Sequence, residues 1–179
     1  SILAQTFTDW ELIIVDDGST DNTKEIVASY IDPKIQYVFQ ENQERSAARN
    51  KGLSISQSEW ICFIDSDDEY LPNHLSTLYE AISNHNFKIY YTEMEFVAND
   101  GTVKPRPFYS DSKSVYDPPD SLCLSAIHRT VFTKVKLPLH LVSSEDFYFM
   151  ALAASIFEIK KLGIVTYRYH HEVSENALT

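Results

Sequence analysis

The chain has two cysteines, Cys62 and Cys123, and both lie in apolar runs. No disulfide framework can be built from them, so a reduced, cytosolic chain is expected. Glycine is almost as sparse, with four in 179 residues, and there is no Gly/Ser linker, repeat or low-complexity tract. Each glycine is therefore expected at a turn or a close approach. Long apolar runs are missing as well. The longest uncharged stretch runs from Phe147 to Phe157. A membrane-spanning helix needs roughly 18 apolar residues, so no transmembrane segment is expected. The opening Ser1-Ile2-Leu3-Ala4-Gln5 has no basic region, which argues against a signal peptide. Positive charge is in deficit too: 15 Lys and Arg face 26 Asp and Glu, a net charge of −11. No basic face for a nucleic acid is visible. An acidic protein that binds an anionic small molecule must recruit a metal cation, local arginines or a helix N-terminus.

What is present is a soluble globular composition, 44% apolar and 23% charged, of about one domain's length. Trp10 to Val15 is a short apolar run of the kind buried in a parallel sheet. It ends at the turn Asp16-Asp17-Gly18-Ser19-Thr20. A helix is expected next, capped by Asp21 or Asn22, with Ile26, Val27, Tyr30 and Ile31 on one face. Ile35 to Phe39 predicts a second strand, and Ser46 to Ile55 a second helix. Trp60 to Ile64 predicts another buried strand, again ending in carboxylates, Asp65-Ser66-Asp67-Asp68.

Beyond that turn, Asp68 is expected to cap a helix carrying the stripe Leu75, Leu78, Tyr79 and Ile82. Lys88 to Val97 predicts a strand, and Asn99-Asp100-Gly101-Thr102 a hairpin turn. After the Pro-rich stretch 104–119, Leu122 to Ile127 is strand-like. A short helix is expected near Thr130 to Lys136, and a last one, capped by Ser143 or Ser144, over Glu145 to Ile156. Ile164 to His170 is the final strand. This alternation predicts an α/β fold with an open, mostly parallel sheet flanked by helices, and a mixed part towards the C-terminus. Ligands bind such sheets beyond the carboxyl ends of the strands, where both acidic clusters fall.

Acidic side chains at a strand end accept hydrogen bonds from a ribose or a base N–H. A capped turn before a helix has the same composition, and for Asp16-Asp17-Gly18-Ser19 both readings stand. In Asp65-Ser66-Asp67, two carboxylates around a tight turn converge on one hard cation. Oxygen-only ligands suit Mg²⁺ or Mn²⁺, with phosphate oxygens and water completing the octahedron.

The order of these motifs carries more than any one of them. The chain resembles the family 2 glycosyltransferases with the GT-A fold. The resemblance runs through Ile2-Leu3-Ala4-Gln5-Thr6-Phe7, Glu11 to Asp21, Ser46-Ala47-Ala48-Arg49-Asn50-Lys51-Gly52 and Phe63-Ile64-Asp65-Ser66-Asp67-Asp68. His128 to Phe132, Ser144-Glu145-Asp146 and Tyr167-Arg168-Tyr169-His170 extend it. The resemblance implies transfer of a sugar, with inversion, from a nucleotide-diphosphate sugar. A UDP-sugar is favoured, and the acceptor is a hydroxyl of a saccharide or lipid-linked glycan. Asp17 would contact the base or ribose, Asp65 would bind near the ribose, and Arg49 would be the basic group beside the nucleotide. Asp67 would ligate Mn²⁺ or Mg²⁺, and Asp146 would be the general base. Glu145 would orient its neighbours, and His170 or His171 would reach the metal or the diphosphate.

The family also implies a further hydrophobic strand ahead of the first strand seen here, ending in a P-x-Y-N-like turn. Gln43-Glu44-Arg45 stands where members often have a glycine. The implied organisation is one GT-A domain over 1–179 lacking that strand, with a nucleotide-sugar part at 1–98 and an acceptor part at 99–179. A cytoplasmic location, peripheral at the inner face of the membrane, goes with it. Two alternatives come from other classes. Leu12-Ile13-Ile14-Val15-Asp16-Asp17 also resembles the acidic pocket of a phospho-accepting receiver domain, with Asp65 as the phosphorylated residue. A catalytically silent sugar-nucleotide-binding remnant is the other. A haloacid-dehalogenase-type phosphatase is discounted, because position 69 is Glu.

Overall fold

A computed structural model describes residues 1–105, 121–141 and 143–170 of the chain. Its strands are β1 (Leu12–Asp17), β2 (Ile35–Gln40), β3 (Trp60–Cys62), β4 (Glu69–Tyr70), β5 (Ile89–Val97), β6 (Val103–Pro105), β7 (Ser125–His128) and β8 (Ile159–His170). Its helices are α1 (Thr23–Ala28), α2 (Glu44–Ile55), α3 (His74–Asn84), α4 (Val131–Lys134) and α5 (Glu145–Ala154). Most of the stretch 104–119, and His171, lie outside the described residues.

The α/β class read from the sequence is the class observed. β1 and β2 pair in parallel, Leu12 opposite Ile35 and Asp17 opposite Gln40. The other strands form one sheet in the order β3-β7-β5-β8-β4, with β6 on β5. Within it β5–β8 is parallel, whereas β3–β7, β5–β7, β4–β8 and β5–β6 are antiparallel. The sheet is therefore mixed. β7 slots between β3 and β5 and runs antiparallel to both.

β5 is the spine of the core. Its Ile89 and Tyr90 are fully buried, as are Ile127 on β7 and Phe149 and Met150 on α5. Such apolar burial is the main favourable contribution to folding, at about 25 cal/mol per Å² removed from water. α2 lies against β1, close enough that a Cβ on Gly52 would meet Val15 at 3.5 Å.

Several elements differ from expectation. α1 ends at Ala28, so Tyr30 and Ile31 lie past the helix and do not share its face. Ile26, Tyr30 and Ile31 are 50%, 53% and 99% exposed. Leu122–Leu124 forms a 3-10 turn and not a strand, because Ser121 Oγ accepts from the Cys123 N–H. Ser144 holds the N-cap position of α5 with φ 59° but makes no side-chain capping bond. Asp68 is not a helix cap. It is buried, and its Oδ2 accepts from the Tyr167 hydroxyl at 2.5 Å while its Oδ1 accepts from the His170 N–H at 3.0 Å. Among the described residues no helix is long and apolar enough to cross a membrane.

Candidate active site

β1 runs straight into the first acidic turn. Asp16 is buried and accepts from Tyr37 Oη at 2.5 Å and from the Ser19 N–H at 2.8 Å. The Tyr37 hydroxyl and the turn amides outweigh burial and hold its carboxyl below the usual range. Asp16 thus shapes the turn, while half-buried Asp17 faces the rim. Asp17 Oδ1 accepts from Gln40 Nε2 at 2.7 Å and from the Gln43 N–H at 2.9 Å. Those two bonds fix the carboxylate's direction, and Oδ2 has no hydrogen-bond partner among the described residues. Gly18 takes φ +86°, and a Cβ there would sit 2.9 Å from the Asn42 backbone nitrogen. Only glycine allows the loop after β2 to approach this turn so closely.

The second acidic turn follows β3. Asp65 Oδ1 accepts from Arg49 Nη2 at 2.9 Å, and its side chain remains 45% exposed. Asp67 is exposed and makes no hydrogen bond or ion pair with another described residue. A cavity of about 840 Å³ opens between β1 and β3 over α2, with Ile14, Val15, Ala48 and Leu53 in its apolar part. Asp17, Arg45, Arg49 and Asp65 also line it.

Arg49, on α2, connects this rim to the start of α5. Its Nη1 lies 3.2 Å from Glu145 Oε1 and pairs with Asp146 Oδ1. Asp146 Oδ2 accepts from the Leu122 N–H at 3.0 Å. Burial pushes the Asp146 carboxyl up, and Arg49 opposes that shift. Burial also works against the charge of Arg49, yet Asp146 and Asp65 hold its guanidinium above its ordinary value. Glu145 is 2% exposed and also meets Arg45 Nη1 at 3.3 Å.

The structure thus brings Asp17, Arg49 and Asp65 onto one cavity and joins Asp146 to them through Arg49. Asp67 stands beside them on the turn but is not part of the cavity lining. The His170 ring Nε2 lies 3.7 Å from Oε1 of Glu69, which also lines the cavity. His128 and Arg129 are structural. His128 sits between Thr130 and Glu59, and Arg129 donates to the carbonyls of Ser58 and Ser56. Two participants were not singled out from the sequence as site or anchor. Arg45 stands one helical turn before Arg49, a spacing that puts both on one face. Glu11 Oε1 accepts from the backbone N–H groups of Gln57 and Ser58 and from the hydroxyls of Ser56 and Ser58. It ties the start of β1 to the end of α2, and no local pattern marks it.

Among the described residues no three His, Cys, Asp or Glu side chains group as a metal-holding cluster. Mg²⁺ is usually held by one or two carboxylates, with substrate phosphates and water supplying the remaining oxygens. An exposed Asp67 on an oxygen-only turn beside Asp65 fits such a partial site.

The fold is that of the GT-A glycosyltransferases. The crystal structure of Staphylococcus aureus TarS 1–349 in complex with UDP-GlcNAc matches 97% of this chain, using 54% of TarS, with a TM-score of 0.81 at 24% identity. The model of Glycosyl transferase family 2 matches residues 1–131, and the chain belongs to that family. This membership removes the receiver-like alternative. Among curated relatives, the chain is 30% identical over 154 residues to the UDP-Glc:alpha-D-GlcNAc-diphosphoundecaprenol beta-1,3-glucosyltransferase WfgD of Escherichia coli, covering 83% of this chain. It is 34% identical over 123 residues to glycosyltransferase GlyG of Streptococcus pneumoniae, covering 58% of this chain. It spans about half the length of its relatives, 59% of WfgD and 41% of GlyG.

Proposed function

We propose that the chain is the donor-binding core of an inverting glycosyltransferase acting in polysaccharide or glycoconjugate synthesis. Residues 1–98 hold a nucleotide-diphosphate sugar, with a UDP-sugar favoured, and residues 99–179 present a hydroxyl acceptor on a saccharide or lipid-linked glycan. The observation that carries this reading is the meeting of Asp17, Arg49 and Asp65 on one cavity, with Asp146 tied to them through Arg49. Support comes from TarS, whose crystal structure holds UDP-GlcNAc, and from WfgD, named for a UDP-glucose donor and a lipid-linked acceptor. The same reading puts the domain in the cytoplasm, at the inner face of the membrane when the acceptor is lipid-linked.

The open Oδ2 of Asp17 accepts from the base or ribose, and Asp65 lies beside the ribose. Asp67 would hold Mn²⁺ or Mg²⁺, and the bound cation would supply positive charge beside the leaving diphosphate. Asp146 takes the proton of the acceptor hydroxyl as that oxygen bonds the anomeric carbon and the bond to the diphosphate oxygen breaks. A positioned base of this kind contributes roughly 10²–10⁴-fold.

The cavity between β1 and β3 also has the lining of a strand's place in a sheet. In the described residues β1 pairs on one side only, with β2, and β3 on one side only, with β7. A strand laid between them would join the two sheets and bring one of its ends to the Asp17 and Asp65 turns. In the full-length protein, the alternate β1 amides that point away from β2 should then exchange slowly with deuterium. Fast exchange at those amides would exclude the inserted strand.

The functional reading is tested by UDP binding and by UDP release from UDP-glucose and UDP-GlcNAc. Asp17→Ala should weaken UDP by about 1.5–3 kcal/mol, the value of a charge-assisted hydrogen bond. Undiminished affinity removes Asp17 from the donor site. Binding without any release supports the silent remnant and overturns transfer.

A further inference from the structure

Arg49 holds together carboxylates from two distant parts of the chain. Its Nη2 meets Asp65 after β3, and its Nη1 meets both Glu145 and Asp146 at the start of α5. The Arg49 side chain is 9% exposed and that of Glu145 is 2% exposed. A guanidinium buried this deeply is tolerated only when paired and hydrogen-bonded. It is also a rigid planar fork, so anchoring one nitrogen on Asp65 and the other on Glu145 fixes its plane. Asp146 then meets Arg49 at a set point. Because the other Asp146 oxygen accepts from the Leu122 N–H, both oxygens are held and the carboxylate has one orientation.

Two simpler roles for Arg49 fit this geometry less well. As a strut for the fold it would need no contact with a partly open, 45% exposed Asp65 at the cavity. As a diphosphate ligand it would have to leave three carboxylates. Arg45, with a side chain 59% exposed on the same cavity and a single carboxylate partner, Glu145 at 3.3 Å, has less to give up to reach a phosphate.

We propose that Arg49 is a positioning residue that acts through Asp146. It couples the donor-side carboxylate of Asp65 to the acceptor-side base, and buried Glu145 is the third point that keeps the fork in plane. This rests on the reading of Asp146 as the base.

The test is a double-mutant cycle in the full-length protein. Arg49→Lys keeps the charge but cannot span both sides. Arg49→Lys, Asp146→Asn and the double variant are compared for UDP release from UDP-glucose or UDP-GlcNAc with a saccharide acceptor, and for UDP affinity by calorimetry. Asp146→Asn alone tests the base: the expected loss in kcat is roughly 10²–10⁴-fold, and full turnover ends that reading whatever Arg49 does. Arg49→Lys should lower kcat at least about tenfold, a loss larger than any it causes in UDP affinity, and the double variant should be no slower than Asp146→Asn within about twofold. Losses that multiply in the double variant overturn the coupling while leaving the base in place. So does a tenfold or greater loss of UDP affinity at unchanged kcat. If Arg49→Lys does not fold, Glu145→Gln takes its place in the cycle. Its kcat loss should vanish in the Asp146→Asn background, and a loss that persists there overturns the proposal.

Discussion

The Tyr167 hydroxyl donates to Asp68 at 2.5 Å, pinning the end of β8 to the turn that carries Asp65 and Asp67. Asp68 is buried, and burial pushes its carboxyl up; the Tyr167 bond and the His170 N–H oppose that shift. Tyr167→Phe leaves one oxygen of a buried carboxyl without this donor, at a cost of about 1–3 kcal/mol. Urea denaturation of the variant measures it. A loss under about 0.5 kcal/mol, the ordinary size of a surface change, would mean the bond anchors nothing.

His74 makes stability depend on pH. Its ring is fully buried, stacks on Tyr70 at 3.7 Å, and shares a 2.7 Å hydrogen bond with Thr166 Oγ1. Burial lowers its pKa from 6.5 to about 3. Between those values the unfolded chain takes up a proton that the folded chain refuses. Stability therefore falls as pH drops through this window, by up to about 1.4 kcal/mol per pH unit from this residue. His74→Phe keeps a ring in place and removes the titration. Its stability should fall less steeply than the parent's between about pH 6 and pH 4. Parallel slopes by urea denaturation would take the pH dependence away from His74.

Gly18→Ala tests the first acidic turn. At φ +86° an L-residue is strained by about 1–2 kcal/mol, and the added Cβ meets the Asn42 backbone nitrogen at 2.9 Å. The variant should lose at least that much stability, and UDP affinity should fall with it, because the shifted loop carries the Gln43 N–H that orients Asp17. A variant as stable as the parent would show that the turn has room the geometry denies it.

The sequence is most informative where structure is local. The apolar runs of β1 and β3, each followed by carboxylates, are legible because burial and turn chemistry both act within a few residues. The candidate residues at those strand ends stand out in the sequence for the same reason. What joins them was not legible. Arg49 and Asp146 are 97 positions apart, and Asp68 and Tyr167 are 99 apart. No periodicity spans such gaps. Asp68 looked like a helix cap because caps and buried anchors use the same residue. Ile26, Tyr30 and Ile31 looked like one helical face because spacing does not say where a helix stops. Glu11 carries no local signal, because the four donors that converge on it come from 45 to 47 positions away.

The metal reading depends on the side chain the fold uses least. Asp67 is exposed at its turn and bonds to no other described residue, so Asp67→Ala should leave stability within about 0.5 kcal/mol of the parent. If Asp67 ligates a cation together with phosphate oxygens, the variant should lose the added UDP affinity that Mn²⁺ brings while keeping its metal-free affinity. Glu69 is the control carboxylate on the same segment. It lies 3.9 Å from Arg168 and 3.7 Å from the His170 ring, so Glu69→Ala should leave the Mn²⁺ increment intact. Calorimetry with UDP alone and with UDP plus Mn²⁺ separates the cases, because only the difference between the two titrations reports the cation. An unchanged increment in Asp67→Ala would remove Asp67 from the metal site. An increment lost equally in both variants would place the cation on the wider acidic surface and not at one carboxylate.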